Sequence, residues 1–348
     1  MKTTSISGKL DLAVAEVPLP KPGPGEIRIR VSFVGICGSD LHYYFEGANG
    51  AFVVKEPLTP GHELSGHVDL DPSGRLTPGT PVTIHPARFG ATDDSIPDAP
   101  HLWSGGSYLG SASTTPHTQG AMAEYLLVDA SMVRILPQGL PVLRAVLAEP
   151  LAVGLHAVAR AGSVHGARVL ISGAGPIGLL TAAAASAAGA SSVVVSDVLA
   201  EPLALALTIG AHETRHVGVD TIEADSFDVV FECSGAAAAI SSAVIAVRRR
   251  GTVVQVGMVP AEARPVALAP LISKEVTLIG VFRFLDEIDE ALLLLAQRPE
   301  IEAVVTHVLP VEDVQQAFEL AKASSVSSKV VVDLSDDRHQ VDARIVAA

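Results

Sequence analysis

The chain has 348 residues, 48% of them apolar and 18% charged, with a formal net charge of -14. That length exceeds one ordinary hydrophobic core and predicts about two globular domains. The acidic balance argues against nucleic acid as a partner, since binding it needs a basic face, and two cysteines cannot build a disulfide framework, so a reducing cytoplasm is the expected setting.

Taken in order, the first 130 residues read as irregular and mostly β. Pro18, Pro20, Pro22 and Pro24 break the chain, and Glu26-Ile27-Arg28-Ile29-Arg30-Val31 then alternates as a half-exposed strand does. Asp69–Thr80 reads as a hairpin, and Pro81–Ile84 and Ala123–Val128 as further β pieces. Residues 87–120 are rich in Ser, Thr, Gly and Pro, a long loop with Trp103 and Tyr108 as candidate anchors. From Val142 the pattern changes. A helix is predicted over Leu143–Ala161, then strand Arg168–Ser172, helix Leu179–Ala188, strand Ser192–Ser196 and helix Pro202–Leu207. Strand Phe227–Phe231, helix Ala236–Arg248 and strand Gly251–Val256 follow, with Arg248-Arg249-Arg250 explained as cations at a helix C-terminus. Alternating strands and helices predict a doubly wound parallel sheet. After about residue 280 the alternation fades; Val311–Ala323 reads as an amphipathic helix, Lys329–Leu334 as a strand, and the last dozen residues as a fraying end. Val169–Ser196 carries no charge, but its glycines and Pro176 favour strand, turn, helix and strand over a membrane span.

Gly173-Ala174-Gly175-Pro176-Ile177-Gly178 follows a predicted strand and opens a helix of small residues, the context a dinucleotide-binding turn requires. Asp197 stands nineteen residues after Gly178 at the next strand end, placed to bind both adenosine ribose hydroxyls. No Lys or Arg follows at positions 198–200, so NAD is expected over NADP.

Metal ligands are a second theme. Zinc that performs chemistry takes three protein ligands and keeps one position open. Cys37, His62, Glu63 and Glu149 are candidates. His62-Glu63-Leu64-Ser65-Gly66-His67 is not a zinc-protease helix, because its second His comes five residues on and glycines interrupt it.

Gly35-Ile36-Cys37-Gly38-Ser39-Asp40, Gly61-His62-Glu63, Glu149-Pro150-Leu151 and the glycine turn, in this order across nearly the whole chain, resemble the zinc-dependent medium-chain dehydrogenases. Leu41-His42-Tyr43-Tyr44 and Gly280-Val281-Phe282-Arg283-Phe284 resemble its polyol branch of sorbitol and L-idonate 5-dehydrogenases, and Val254–Met258 with Phe282-Arg283-Phe284 tilts the likeness to the L-idonate type. The resemblance implies an α/β protein: a GroES-like catalytic domain over residues 1–148, a Rossmann domain over 149–283, and a segment 284–348 returning to the first. It implies one catalytic zinc on Cys37, His62 and Glu63 or Glu149, with Glu149 bound directly or through water. Asp40 would support His62, Ser39 and His42 would relay the proton, and Tyr43 and Arg283 would contact substrate. Many relatives carry a structural zinc on four cysteines; residues 86–109 have none, so that ion is expected to be absent. The expected partner is a small sugar acid or polyol, with no nucleic acid and no membrane, in a homo-oligomer, most simply a tetramer. A sorbitol, xylitol or L-threonine dehydrogenase is the alternative with the same machinery; a metal-free reductase or a non-catalytic NAD-binding protein are more distant ones.

Overall fold

The computed structural model describes residues 1–260 and 262–335; the expected fraying end lies outside them. Strands β1 (Lys2–Gly8), β2 (Asp11–Glu16) and β3 (Glu26–Gly35) lead into helix α1 (Gly38–Glu46). The short pair β4 (Ala48–Asn49) and β5 (Phe52–Val53) precedes β6 (Glu63–Leu70) and β7 (Pro81–Ile84). Another short pair, β8 (Ala87–Arg88) and β9 (Ser107–Tyr108), brackets most of the irregular loop, and β10 (Tyr125–Asp129) and β11 (Val133–Ile135) follow it. Next come α2 (Val142–Ala145), α3 (Ala148–Ala161), β12 (Arg168–Ser172), α4 (Pro176–Ala187), β13 (Ser192–Asp197), α5 (Glu201–Thr208) and β14 (Glu213–His216). Then β15 (Phe227–Glu232), α6 (Ala237–Ala246), β16 (Val247–Gln255), α7 (Ala269–Ser273) and β17 (Thr277–Gly280) complete this alternation. The described residues end with α8 (Ile288–Gln297), β18 (Val305–Pro310), α9 (Val314–Lys322) and β19 (Lys329–Asp333).

Two sheets dominate. One runs β11-β7-β6-β3-β19-β18, with β10 also paired to β3. Its last two strands come from residues 305–333, so this late segment closes against β3, with Val331 opposite Gly35. The other is parallel, in the order β14-β13-β12-β15-β16-β17. Its strands are runs such as Val193-Val194-Val195, buried on both faces, as a sheet covered by helices on each side requires. Fully burying a side chain such as Phe231 contributes about 2–3 kcal/mol relative to leaving it exposed. Helices α3 and α4 touch at Gly154, where a Cβ would stand 3.1 Å from the backbone of Thr181. No helix among the described residues is long and apolar enough to cross a membrane, and Val169–Ser196 is strand, turn, helix and strand.

Three expectations change. The helix expected over Leu143–Ala161 is two, α2 and α3, interrupted at Val146 and Leu147. Pro150 explains the break: it has no N–H to reach back to Val146, and it is tolerated in the first turn of the restarted helix. The arginine triplet lies in the strand β16, not at a helix end. Lys274 caps α6 instead, its Nζ donating to the carbonyls of Val244, Ile245 and Val247. Beyond residue 280, α8 buries Ile288, Ala291, Leu292 and Leu295, a helical spacing the sequence carried without a capping signal to mark it.

Candidate active site

Strands β3 and β6 pair antiparallel with Gly35 opposite Glu63. That register brings the residues just after β3 beside those just before β6. Gly35 has to lack a side chain, because a Cβ there would stand 2.2 Å from Glu63 Oε2. Cys37 is the N-cap of α1, and His62 follows Gly61, whose φ of +95° favours glycine. The outcome is that ligand atoms of Cys37, His62 and Glu63 all lie within 4.8 Å of one another. Asp40 braces this arrangement from below: its two carboxylate oxygens accept the backbone N–H groups of Cys37, at 3.0 Å, and Gly61, at 3.1 Å. No hydrogen bond joins Asp40 to His62, so the support expected for that imidazole runs through the backbone on either side.

The electrostatics favour a cation. Burial opposes a charged His62, yet the negative charges of Cys37, Asp40 and Glu149, with a hydrogen bond to Cys37, push its pKa up to about 10. Its Nδ1 is buried without a hydrogen-bond partner, as is Glu63 Oε2. Glu63 is also ion-paired: Lys329 Nζ, at the start of β19, stands 2.6 Å from each carboxylate oxygen, hydrogen-bonds Oε1, and donates to Ile36 O at 3.0 Å. Burial opposes the Lys329 charge, but Glu63 and Cys37 outweigh it and hold its pKa above the usual lysine range.

Glu149, in the first turn of α3, lies beside this group but outside the mutual 4.8 Å set. Burial raises its pKa against the lowering effect of His62. Tyr108 donates its hydroxyl to Glu149 Oε1 at 2.5 Å, its ring 5.4 Å from the His62 ring. The Arg283 guanidinium sits 3.9 Å from the centroid of the Tyr108 ring, with Arg283 itself held at φ +54°. Tyr43 is buried, and its hydroxyl accepts Ala112 N at 3.1 Å. Ser39 is half-buried on α1, whereas His42 is exposed and pairs with Glu46 at 3.2 Å. No hydrogen bond links Ser39 to His42 or to the ligand group among the described residues. Sequence reasoning missed Lys329 altogether and took Tyr108 only as a loop anchor.

At the parallel sheet, Gly173 takes φ +104°, and a Cβ on Gly178 would stand 1.8 Å from Gly173 O. Gly175 caps α4 with open space where a Cβ would be, Pro176 begins the helix, and Ile177 is half-buried behind it. Backbone amides at a helix N-terminus with such clearance can receive a pyrophosphate. Asp197 ends β13 with Oδ2 accepting Ala174 N at 2.6 Å and Oδ1 accepting Leu199 N at 2.9 Å, so it is locked to the glycine turn itself.

A thiol, an imidazole and a carboxylate converging, with the buried His62 Nδ1 left without a hydrogen-bond partner, fit a zinc ion. Comparison with known proteins agrees. Residues 23–138 match the family model of the alcohol dehydrogenase GroES-like domain, and residues 176–297 that of zinc-binding dehydrogenases. The chain is 37% identical to sorbitol dehydrogenase of Gallus gallus over 325 residues, covering 90% of each protein. It is 34% identical to the L-idonate 5-dehydrogenase (NAD(P)(+)) of Escherichia coli (strain K12) over 339 residues, covering 95% of this chain and 98% of that one. The crystal structure of L-idonate 5-dehydrogenase from Escherichia coli superposes with a TM-score of 0.89 at 33% identity, covering 95% of this chain and 97% of that one. The chain therefore belongs to the zinc-binding medium-chain dehydrogenases, as an NAD(P)-dependent zinc alcohol/polyol dehydrogenase with a GroES-like half and a Rossmann half.

Proposed function

We propose that this enzyme oxidises a secondary hydroxyl of a sugar acid with NAD, in the manner of an L-idonate 5-dehydrogenase. The reading is supported by the likeness to the L-idonate 5-dehydrogenase structure, with Arg283, a cation over Tyr108 beside Glu149 that sorbitol dehydrogenases share, able to pair with a substrate carboxylate. Cys37, His62 and Glu63 would hold one zinc ion, with Glu149 reaching it directly or through water. Bound there, zinc supplies a Lewis acid that lowers the pKa of the reacting hydroxyl. Asp40 keeps the Cys37 and Gly61 backbones in place. Ser39 would accept the hydroxyl proton as it gives up its own, and exposed His42 would pass that proton to solvent through water, since no hydrogen bond joins the two side chains directly. Tyr43 forms a wall of the substrate site. Gly173, Gly175, Pro176, Ile177 and Gly178 receive the pyrophosphate, and Asp197 accepts from the ribose hydroxyls and repels a 2′-phosphate. A structural zinc is absent from this scheme.

We assign the catalytic domain to residues 1–148, the dinucleotide domain to 149–283 and the returning segment to 284–348. We also propose a cytoplasmic homo-oligomer, most simply a tetramer; exposed Ile272 and Leu278 near the edge strand β17 support pairing of the Rossmann halves.

A neutral-polyol reading is favoured by the 37% identity to a sorbitol dehydrogenase. NADH formation measured with L-idonate, D-gluconate, sorbitol, xylitol and L-threonine, each with NAD and NADP, decides. The sugar-acid reading expects L-idonate to exceed sorbitol in kcat/KM by about tenfold or more, as one charge-assisted contact provides, and Arg283→Met to erase that margin. Equal or better turnover of sorbitol would replace it with the neutral-polyol reading, and turnover with NADP alone would overturn the role of Asp197.

A further inference from the structure

Glu232 is a buried carboxylate that the scheme above does not use. It ends β15, is 0% exposed, and is ion-paired with no cation among the described residues. Four donors hold it instead. Oε1 accepts Ser234 N at 2.9 Å and the Ser234 hydroxyl; Oε2 accepts Gly235 N at 2.9 Å and Gln255 Nε2 at 2.6 Å. Its backbone carbonyl accepts the N–H groups of both Val256 and Gly257 at 2.8 Å. One residue thus fastens the loop after β15 to the loop after β16. A carboxylate buried here without a cation is costly unless its oxygens are hydrogen-bonded, and these donors are aimed at it.

Its place in the sheet says what the fastening is for. From β12 the chain steps outward to β13 and β14, then crosses back to β15 and steps outward the other way. Ligands of such sheets lie beyond the strand ends at this crossing, with one mononucleotide on each side. Asp197 and the glycine turn occupy the β12 and β13 side. Glu232 lies directly across, in register with Ser172, the residue before Gly173. The loop it holds presses on the turn: a Cβ on Gly173 would stand 3.1 Å from Ser234 N, and one on Gly257 would stand 2.3 Å from Gly235 N.

We propose that Glu232 is a positioning residue for the nicotinamide half of the dinucleotide, fixing the loops after β15 and β16 as one wall of the crevice. This rests on the reading of Gly173–Gly178 and Asp197 as the dinucleotide site. Glu232→Gln keeps the shape but sets an amide donor against a donor, Gly235 N, Gln255 Nε2 or Ser234 N. Gln255→Met is the milder variant, removing one donor and leaving the backbone ones.

The test is binding of NADH, by fluorescence titration, and of 5′-AMP, which fills only the adenosine side, by competition, on the full-length enzyme. The expected result is a dissociation constant for NADH raised about tenfold in Glu232→Gln and several-fold in Gln255→Met, with that for AMP changed less than about twofold. A general loss of structure would weaken both ligands together. Equal weakening of both ligands in a folded variant, or an unchanged NADH constant, overturns the proposal. If Glu232→Gln does not fold, as judged by circular dichroism, Gln255→Met decides by the same criterion. Wild-type protein binding neither ligand, or Asp197→Ala leaving AMP binding intact, would instead sink the dinucleotide-site reading itself.

Discussion

Replacing Lys329 with Met separates the metal's contribution from that of the protein. Lys329 and Glu63 have side chains 3% and 1% exposed, so both charges are withdrawn from water and depend on each other. Removing one partner of such a pair costs about 3–5 kcal/mol, because the remaining charge is buried and uncompensated. Loss of the donor to Ile36 O adds about 1 kcal/mol. That cost applies to the metal-free protein. Zinc bound beside Glu63 would neutralise the stranded carboxylate and return a large share of the loss. By linkage, the variant must then bind zinc more tightly than the wild type. If zinc restores about 2 kcal/mol, the gain in affinity is about 30-fold. The assays are urea denaturation of the metal-free and zinc-loaded forms, and zinc affinity by competition with a chromophoric chelator. Equal destabilisation of both forms, with unchanged zinc affinity, would mean that Glu63 does not face the metal and that its partner is Lys329 alone.

Other outcomes follow from the same geometry. Cys37→Ser should bring zinc content to near zero and abolish turnover while leaving NADH binding by fluorescence close to wild type; full zinc content would remove Cys37 from the ligand set. The folded-state pKa of His62, about 10, lies above its unfolded value of 6.5. Its contribution to stability is therefore complete below pH 6.5 and is lost as pH rises towards 10. Metal-free protein should show a melting temperature that falls across that window, and zinc-loaded protein should show a flatter profile, since the metal replaces the proton. Lys274→Met strips the cap from α6 and the ion pair to Asp225 at 2.9 Å. It should cost about 3 kcal/mol in urea denaturation with zinc content unchanged; a loss under about 1 kcal/mol would show that water replaces the lysine at those carbonyls.

The parallel sheet was legible because its signals are local. Val193-Val194-Val195 is a buried strand by composition, and the glycine turn between strand and helix has one reading. The edge strands β14 and β17 escaped notice because Glu213–His216 is polar and Thr277–Gly280 is mostly exposed, leaving no buried run to read. The candidate ligands were legible for a different reason: Cys37 and His62-Glu63 are chemically unusual residues in glycine-punctuated stretches. What surrounds them was not. Tyr108 reaches Glu149 across 41 positions, and Lys329 reaches Glu63 across 266. Lys329 stands before three valines in β19, where a lysine reads as a solvated strand end. Only the pairing of β19 with β3, strands far apart in sequence, turns it inward. Glu232 is harder still, since an acid at a strand end is ordinary and its four donors come from Ser234, Gly235 and Gln255. The residues that change the meaning of the site are thus buried charges whose partners are set by topology. A sequence can name the groups that bind an ion or a cofactor, but the charges that tune those groups become readable only when distant strands are brought side by side.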